Sequence, residues 1–190
     1  MSEVDKELIR QLVDGKISQE NARRLISAPK KDSGRFRSYL EVLQGRVKWS
    51  EQILLRLNDH LYVVRTPAGG RTVKCECGHE FGDYRENWKL KALINVRDSL
   101  EAFREIYTPE PACPDPQWLQ IREFFCPQCA AQLAVEAVPP GYPVVFEVLP
   151  DLDRFYREFL GTPLHDEHAD WYEDRSTDVT RRWAGAMPLR

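Results

Sequence analysis

Apolar residues within positions 1 to about 60 recur at helical spacing in short runs. The pattern predicts four short helices with these apolar positions: Leu8, Ile9 and Leu12; Ala22, Leu25 and Ile26; Phe36, Tyr39, Leu40 and Leu43; and Ile53, Leu54 and Leu57. Gly15, Pro29 and Gly45 end the first three, and Ser18 and Ser50 are N-caps for the second and fourth. Because isolated short helices are marginal in water, residues 1–60 are predicted to form a helical arm that packs on another surface.

From residue 61 the pattern changes to short extended segments. The predicted strands span residues 61–64, 71–74, 119–125, 133–138 and 144–149. The turn sequence at 67–70, Pro-Ala-Gly-Gly, joins the first two strands as a hairpin. A short helix is predicted within residues 98–107, capped by Asp98 or Ser99, before a proline-rich loop. Residues 61–150 are therefore predicted to form a β-rich domain.

The last forty residues, 151–190, combine a helix with a polar tail. Asp151 caps a predicted helix that Gly161 ends. Its inward side chains are predicted to be Leu152, Phe155, Tyr156 and Phe159. Beyond residue 164 the chain is polar and charged, and we expect an extended tail. The tail carries three aromatic residues as isolated anchors, Trp171, Tyr172 and Trp183.

Composition and charge narrow the class of protein. Of 190 residues, 42% are hydrophobic and 30% charged, which predicts a packed core rather than disorder. The chain has a net charge of -3 and therefore no surplus of basic residues, which proteins that bind phosphate backbones usually have. No nucleic-acid partner is predicted. The sequence contains no apolar run long enough to span a membrane and no apolar signal core near its start. A cytoplasmic location is therefore expected, where thiols stay reduced.

Four of the five cysteines form two close pairs, Cys75 with Cys77 and Cys126 with Cys129. In a reduced compartment such pairs indicate metal ligands before disulfides. Four thiolates suit tetrahedral zinc, and a closed four-thiolate shell leaves no position for water, so the site is predicted to be structural. The expected fold is α+β: a small zinc-ribbon-like antiparallel β core with the N-terminal helical arm, the C-terminal helix and the extended tail.

Several alternatives stay open for these residues. The four cysteines can be ordinary buried side chains, or His79 can replace Cys77 as a ligand. Cys113 is expected to be a free loop thiol, since a fifth thiolate is not needed. His165 and His168 can meet on one helical face, but a solvated polar tail is the preferred interpretation.

Other catalytic chemistry is missing from the sequence. There is no phosphate-binding glycine-rich loop, no dinucleotide fingerprint and no nucleophile elbow. No catalytic and no cofactor-binding residues are therefore predicted. Residues 81–90 are dense in charged and aromatic side chains, which is typical either of a contact surface or of a folded hairpin whose Lys and Arg cover Trp88.

Four strings give the sequence a family resemblance. They are CECGHEFGDYRENWKL at 75–90, WLQIREFFCPQC at 118–129, LVDGKI at 12–17 and FYREFLG at 155–161. Together they resemble the acetone carboxylase gamma subunit family over roughly residues 7–164, and they are similar to the small subunits of acetophenone and other aryl ketone carboxylases.

This resemblance implies a cytoplasmic complex of alpha, beta and gamma subunits that joins a ketone to bicarbonate at the expense of ATP. The large alpha and beta subunits would handle ATP with Mg²⁺ and hold Mn²⁺, and the gamma subunit would carry structural Zn²⁺ without catalysing a step. Two other functions compete: a free-standing zinc-ribbon adaptor for a protein or a nucleic acid, and a small enzyme using His79 at an open zinc. Dependence on large partners separates the first from the others.

Overall fold

The computed structural model describes residues 3–27, 33–108, 112–168 and 171–186, and it confirms the predicted α+β class. The helices are α1 (Glu3–Val13), α2 (Gln19–Ser27), α3 (Ser33–Gln44), α4 (Leu100–Arg104), α5 (Leu152–Arg154) and α6 (Ser176–Ala186). The strands are β1 (Ile53–Arg56), β2 (Leu61–Arg65), β3 (Arg71–Cys75), β4 (Glu80–Asp83), β5 (Leu93–Arg97), β6 (Gln120–Phe125) and β7 (Gln132–Val138). A 3₁₀ helix spans Trp88–Lys91, and α5 continues as a π-helix over Phe155–Phe159. Over these residues no helix has the length and apolar character needed to cross a bilayer.

Two antiparallel sheets form the β core. The first has the order β1-β2-β3-β4 and the second the order β5-β6-β7. The predicted hairpin is β2 and β3, whose register runs from Leu61 opposite Cys75 to Arg65 opposite Arg71. Gly69 sits in its turn with φ of 84°, a left-handed conformation that a side chain would strain. This register places Cys75 at the end of β3, where the turn that contains Cys77 begins.

Alternation along β2 divides the molecule into two apolar layers. Leu61 and Val63 join the main core, which also contains buried residues from β7 and α5. Tyr62 and Val64 belong to a second cluster, in which Leu43 of α3 is fully buried. The predicted N-terminal helices therefore pack on the first sheet of this same chain through α3.

An aromatic row connects the two sheets. Phe81 of β4 meets the Trp88 ring edge-on at 5.9 Å between ring centres, and Trp88 meets Phe124 of β6 at 6.2 Å. Phe81 and Phe124 are both fully buried. Because edge-to-face aromatic contacts fix ring orientation as well as distance, the row sets how the two sheets face each other.

Two predicted elements are wrong. The fourth helix, over Ile53, Leu54 and Leu57, is instead strand β1 followed by a turn, because Ile53 pairs with Val64 of β2 and the chain is buried on both faces there. Residues 144–149, which were predicted to form a strand, have no regular secondary structure. Polar side chains from the interior bind this segment instead. Asn87 donates from Nδ2 to the Val144 carbonyl at 3.2 Å, and Glu147 pairs with buried Lys89 at 3.0 Å.

The predicted helix begins at residue 151 as expected, but it continues as a π-helix instead of an α-helix. The Asp151 side chain accepts from the Arg154 N–H, so the predicted cap is confirmed. Then Leu160 donates to the Phe155 carbonyl, five residues back, at 3.2 Å. This π-helix adds a residue to the turn, so that Leu160 is buried, whereas Phe159 is 76% exposed and its inward prediction is wrong.

The tail contains more structure than predicted. Leu164 is buried, and α6 lies where the sequence predicted only an extended chain. Among the three predicted aromatic anchors, Trp171 packs against Tyr84, with ring centres 5.9 Å apart. Tyr172 and Trp183 are largely exposed, so the anchoring prediction holds for Trp171 alone.

Candidate metal centre

The first cysteine pair lies in the tight turn between β3 and β4. The Cys75 N–H donates to the His79 carbonyl and the Gly78 N–H to the Cys75 carbonyl, both at 2.8 Å. Gly78 has φ of 103°, a conformation that residues with a Cβ rarely adopt. The sequence folds this way because glycine lets the chain reverse immediately after Cys77, which leaves the two thiols on the same side of the turn.

The second pair lies in the turn between β6 and β7 and uses similar hydrogen bonds. The Cys126 N–H donates to the Ala131 carbonyl and the Ala130 N–H to the Cys126 carbonyl, both at 2.9 Å. Ala130 has a positive φ of 56°, at the position that corresponds to Gly78 in the first turn. One turn from each sheet therefore presents two thiols.

The four thiols meet at one point. Cys75 Sγ lies 3.8 Å from Cys129 Sγ, and Cys77 Sγ lies 3.7 Å from Cys126 Sγ. All four sulfur atoms lie within 4.8 Å of one another. Four sulfurs at the usual Zn–S distance of about 2.3 Å form a tetrahedron with edges of about 3.8 Å. These cysteines can therefore hold a metal ion, and the spacing fits tetrahedral zinc.

Burial and hydrogen bonding act on the thiols in opposite directions. Burial raises the pKa of Cys75, and partial loss of solvent at the sulfur raises the pKa of Cys77, whose residue is exposed overall, because the charged thiolate is disfavoured. Burial also opposes ionisation of Cys126, but hydrogen bonds from the N–H groups of Cys129 and Gln128 and with the Cys129 and Cys77 thiols together lower the pKa of this thiol. Thiols with a raised pKa, such as Cys75 and Cys77, become thiolates readily only beside a cation, which a bound metal ion supplies.

Polar contacts fix the first turn from outside. The Glu76 N–H donates to the His60 carbonyl at 2.8 Å, and His60 Nδ1 lies 3.0 Å from the Glu76 carboxylate. Trp49 Nε1 donates to the Glu76 carbonyl at 3.1 Å. The residue between Cys75 and Cys77 is thus held by three groups from neighbouring segments, which orients both thiols.

A basic cavity of about 400 Å³ opens beside the exposed cysteines Cys77 and Cys129. Arg46, Lys48 and His60 line it. Four thiolates around a divalent ion carry a net charge of about -2, so nearby cations offset part of the cost of holding it. Sequence reasoning missed these residues. Arg46 and Lys48 lie close together in the sequence and His60 lies twelve residues further on, and none of the three gives a local indication of its distance from the cysteines.

The other predicted candidates lie outside the thiol cluster. His79 packs edge-on against Phe81, with ring centres 4.9 Å apart, and Cys77 rather than His79 completes the cluster. Cys113 is a half-buried free thiol outside it. His165 and His168 are exposed and are not part of it. The structure therefore brings together the four cysteines that were predicted as ligands, Cys75, Cys77, Cys126 and Cys129.

Residues 81–90 form part of the folded interior. Phe81, Tyr84 and Lys89 are buried, and the Lys89 ammonium pairs with Glu136 of β7. The predicted cations over Trp88 lie over other rings instead: Lys89 Nζ is 5.5 Å from the Phe124 ring, and the Arg85 guanidinium is 4.7 Å from the Trp171 ring. The stretch is folded as predicted by the second interpretation, but it is not a hairpin, because β4 pairs with β3 and residues 88–91 form a 3₁₀ helix.

The chain is similar to subunits of two ketone carboxylases. The sequence profile described as "Acetone carboxylase gamma subunit" matches residues 47–160, which include all four clustered cysteines. The chain is 45% identical over 160 residues to the acetone carboxylase gamma subunit of Xanthobacter autotrophicus, covering 84% of this chain and 94% of that protein. It is 29% identical over 109 residues to the acetophenone carboxylase beta subunit of Aromatoleum aromaticum, covering 57% and 77% respectively. This chain therefore belongs to the acetone carboxylase gamma subunit family.

Proposed function

We propose that this chain is the small zinc-binding subunit of a cytoplasmic, ATP-dependent complex that carboxylates acetone, or a related ketone, with bicarbonate. The observation that carries the proposal is the cluster of four cysteine thiols, which falls inside the stretch that matches the family. The resemblance to subunits of two ketone carboxylases supports partnership with large alpha- and beta-like subunits.

The role proposed for Cys75, Cys77, Cys126 and Cys129 is to hold structural zinc. Each sheet contributes two of these ligands, so a shared ion cross-links the sheets at the end where β3 and β6 terminate. With four sulfurs in a tetrahedral arrangement, no coordination position remains for water or bicarbonate. The binding free energy of the ion then contributes to the folding of the β core.

Catalysis in this proposal belongs to the partners. ATP use requires groups that hold phosphates and Mg²⁺, and this sequence has no glycine-rich phosphate loop with Lys and Ser/Thr. We place ATP, Mg²⁺ and Mn²⁺ on the large subunits and assign no catalytic residue to this chain.

Reconstitution tests the proposal. The purified chain, its two large partners and the three-component mixture are assayed for ketone-dependent consumption of ATP and of labelled bicarbonate, and zinc is measured per chain. We expect about one zinc per chain and turnover only in the three-component complex. Turnover by the large subunits alone at the same rate, or failure of the chain to associate with them, would refute the assignment.

A further inference from the structure

Strand β5 is an apolar edge that stays open to solvent. It is the outer strand of the second sheet, and its side chains Leu93, Ile94 and Val96 are 55%, 42% and 43% exposed. Within the described part of the chain no hydrogen bond occupies its outer edge. An edge strand presents a row of N–H and C=O groups that another chain can pair with, and folded proteins usually block such edges with charge, proline or a bulge.

None of these protections operates at β5. The strand has no proline, and its pairing with β6 is continuous from Leu93 to Arg97 without a bulge. Its one charged side chain, Arg97, pairs with Glu123 at 2.8 Å and with Glu105, the residue that follows α4. The opposite edge of the same sheet differs, because Asn58 donates from Nδ2 to the Leu133 carbonyl of β7 at 2.8 Å.

The two faces of β5 have different chemistry. Ile94 lies opposite buried Phe124 and shares its face, so the core of the protein extends to the edge there. On the other face, Asn95 donates to Glu123 at 2.8 Å, and Leu93 is the one apolar side chain of the strand there. A strand added outside β5 would therefore need apolar side chains over Ile94 and Val96, and on the alternate face polar side chains except beside Leu93.

Strand β5 also lies next to the candidate metal centre in the sheet. Leu93 lies opposite Phe125, the residue before the ligand Cys126, and the whole strand falls within the stretch 47–160 that matches the family. Zinc bound at the second turn would order the end of β6 and, through this register, the neighbouring start of β5.

We propose that β5 accepts an extended segment of a large carboxylase subunit as an added strand, with apolar residues at alternate positions packed on Ile94 and Val96. This inference rests on the proposed function, which supplies the large subunit. A second copy of this chain fits less well, because antiparallel self-pairing centred on Asn95 sets Leu93 opposite Arg97. A dimer held only by two five-residue strands would also bury far less than the roughly 1,200 Å² typical of a stable interface, whereas a large subunit can add contacts beyond the paired strand.

Hydrogen exchange of the backbone amides tests the proposal directly. Exchange of residues 93–97 is compared between the full-length chain alone and the purified complex with the large subunits, and residues 132–138 of β7 serve as the internal reference. Added strand pairing protects the amides that point outward, so we expect about tenfold slower exchange in β5 in the complex and little change in β7. Equal exchange of β5 in both samples would overturn the inference.

Cross-linking identifies the occupant. A photo-reactive phenylalanine analogue replaces Ile94 in the complex, and the matched control carries it at Val135, which is 56% exposed on β7. We expect cross-links from position 94 to one peptide of a large subunit with alternating apolar residues, and none to that peptide from position 135. Cross-links from position 94 to another copy of this chain would instead establish self-pairing and overturn the proposal.

Substitution separates this inference from the proposed function. Ile94→Lys and Val96→Lys place a charge on the packing face at exposed positions, and Val135→Lys is the control. Both β5 variants should retain their zinc and lose at least tenfold in affinity for the large subunits, whereas the control should bind normally. A complex that forms normally with both β5 variants would refute the docking edge while leaving the subunit assignment intact. Failure of the wild-type chain to form any complex would refute the subunit assignment itself.

Discussion

The guanidinium carbon of Arg71 lies 4.6 Å from the centre of the Trp171 ring. The same guanidinium makes two hydrogen bonds to Asp153, at 2.5 and 3.1 Å, and donates from Nε to Asp166 at 3.1 Å. Trp171 in turn donates from Nε1 to the Asp166 carbonyl at 2.7 Å. Strand β3 therefore holds the C-terminal tail through Arg71 at its first residue and places Cys75 of the thiol cluster at its last.

Removing the Arg71 side chain should destabilise the protein strongly. In Arg71→Ala two carboxylates lose their buried cationic partner, and breaking a buried ion pair from one side typically costs about 3–5 kcal/mol. Urea unfolding of the zinc-loaded chain at pH 7 measures the change in the free energy of unfolding. Arg154→Ala is the control, because Arg154 pairs with Glu158 on the surface and should behave like the wild type. Equal unfolding curves for both variants would mean that the tail is not held by this cluster.

The N-terminal helices should contribute directly to stability. Leu43 is fully buried against Ile53, Tyr62 and Val64, so Leu43→Ala should lower the free energy of unfolding by about 2–5 kcal/mol. Leu12→Ala is the matched control, since Leu12 is 47% exposed and should change stability by less than about 1 kcal/mol. Thermal unfolding of both variants distinguishes them. If Leu43→Ala unfolds like the wild type, the first three helices are an arm independent of the β core.

Local sequence signals predicted the elements nearest to the metal centre. The Pro-Ala-Gly-Gly turn and its flanking alternation predicted β2 and β3, and the apolar run before Cys126 predicted β6. The close spacing of each cysteine pair also predicted a cluster of four thiols, although 48 residues separate the pairs. These features depend on neighbouring residues, which a sequence displays directly.

The errors came from interactions between distant segments. Ile53 and Leu54 fit a helical pattern as well as a strand, and only pairing with β2 decides between them. The segment 144–149 contains valines typical of a strand, but Asn87 and Lys89 engage it from the interior. The sequence also gives no local signal that Arg71 is buried, because the carboxylates that pair with it, Asp153 and Asp166, follow it by 82 and 95 residues.

Loss of one clustered cysteine should release the metal ion. In Cys126→Ser the cluster keeps three thiols and loses the one whose pKa is lowered, so zinc measured per chain should fall from about one to near zero. The middle of the chain should also become sensitive to protease, since metal binding supports its folding. Cys113→Ser is the control, because Cys113 lies outside the cluster, and its zinc content should be unchanged. Full zinc in Cys126→Ser, or loss of zinc in Cys113→Ser, would mean that the ligand set is wrong.

Loss of the metal ion should affect the carboxylase through assembly rather than chemistry. Cys75 is a buried member of the cluster, and a closed four-thiolate site has no coordination position for bicarbonate or water. We therefore expect Cys75→Ser to reduce the yield of complex with the large subunits, while turnover per assembled complex stays within about twofold of the wild type. Size-exclusion chromatography separates the assembled fraction, and ketone-dependent turnover is then measured on that fraction alone, with Cys113→Ser as the control. A Cys75→Ser complex that assembles fully but does not turn over would place the metal ion in the chemistry and contradict its structural role.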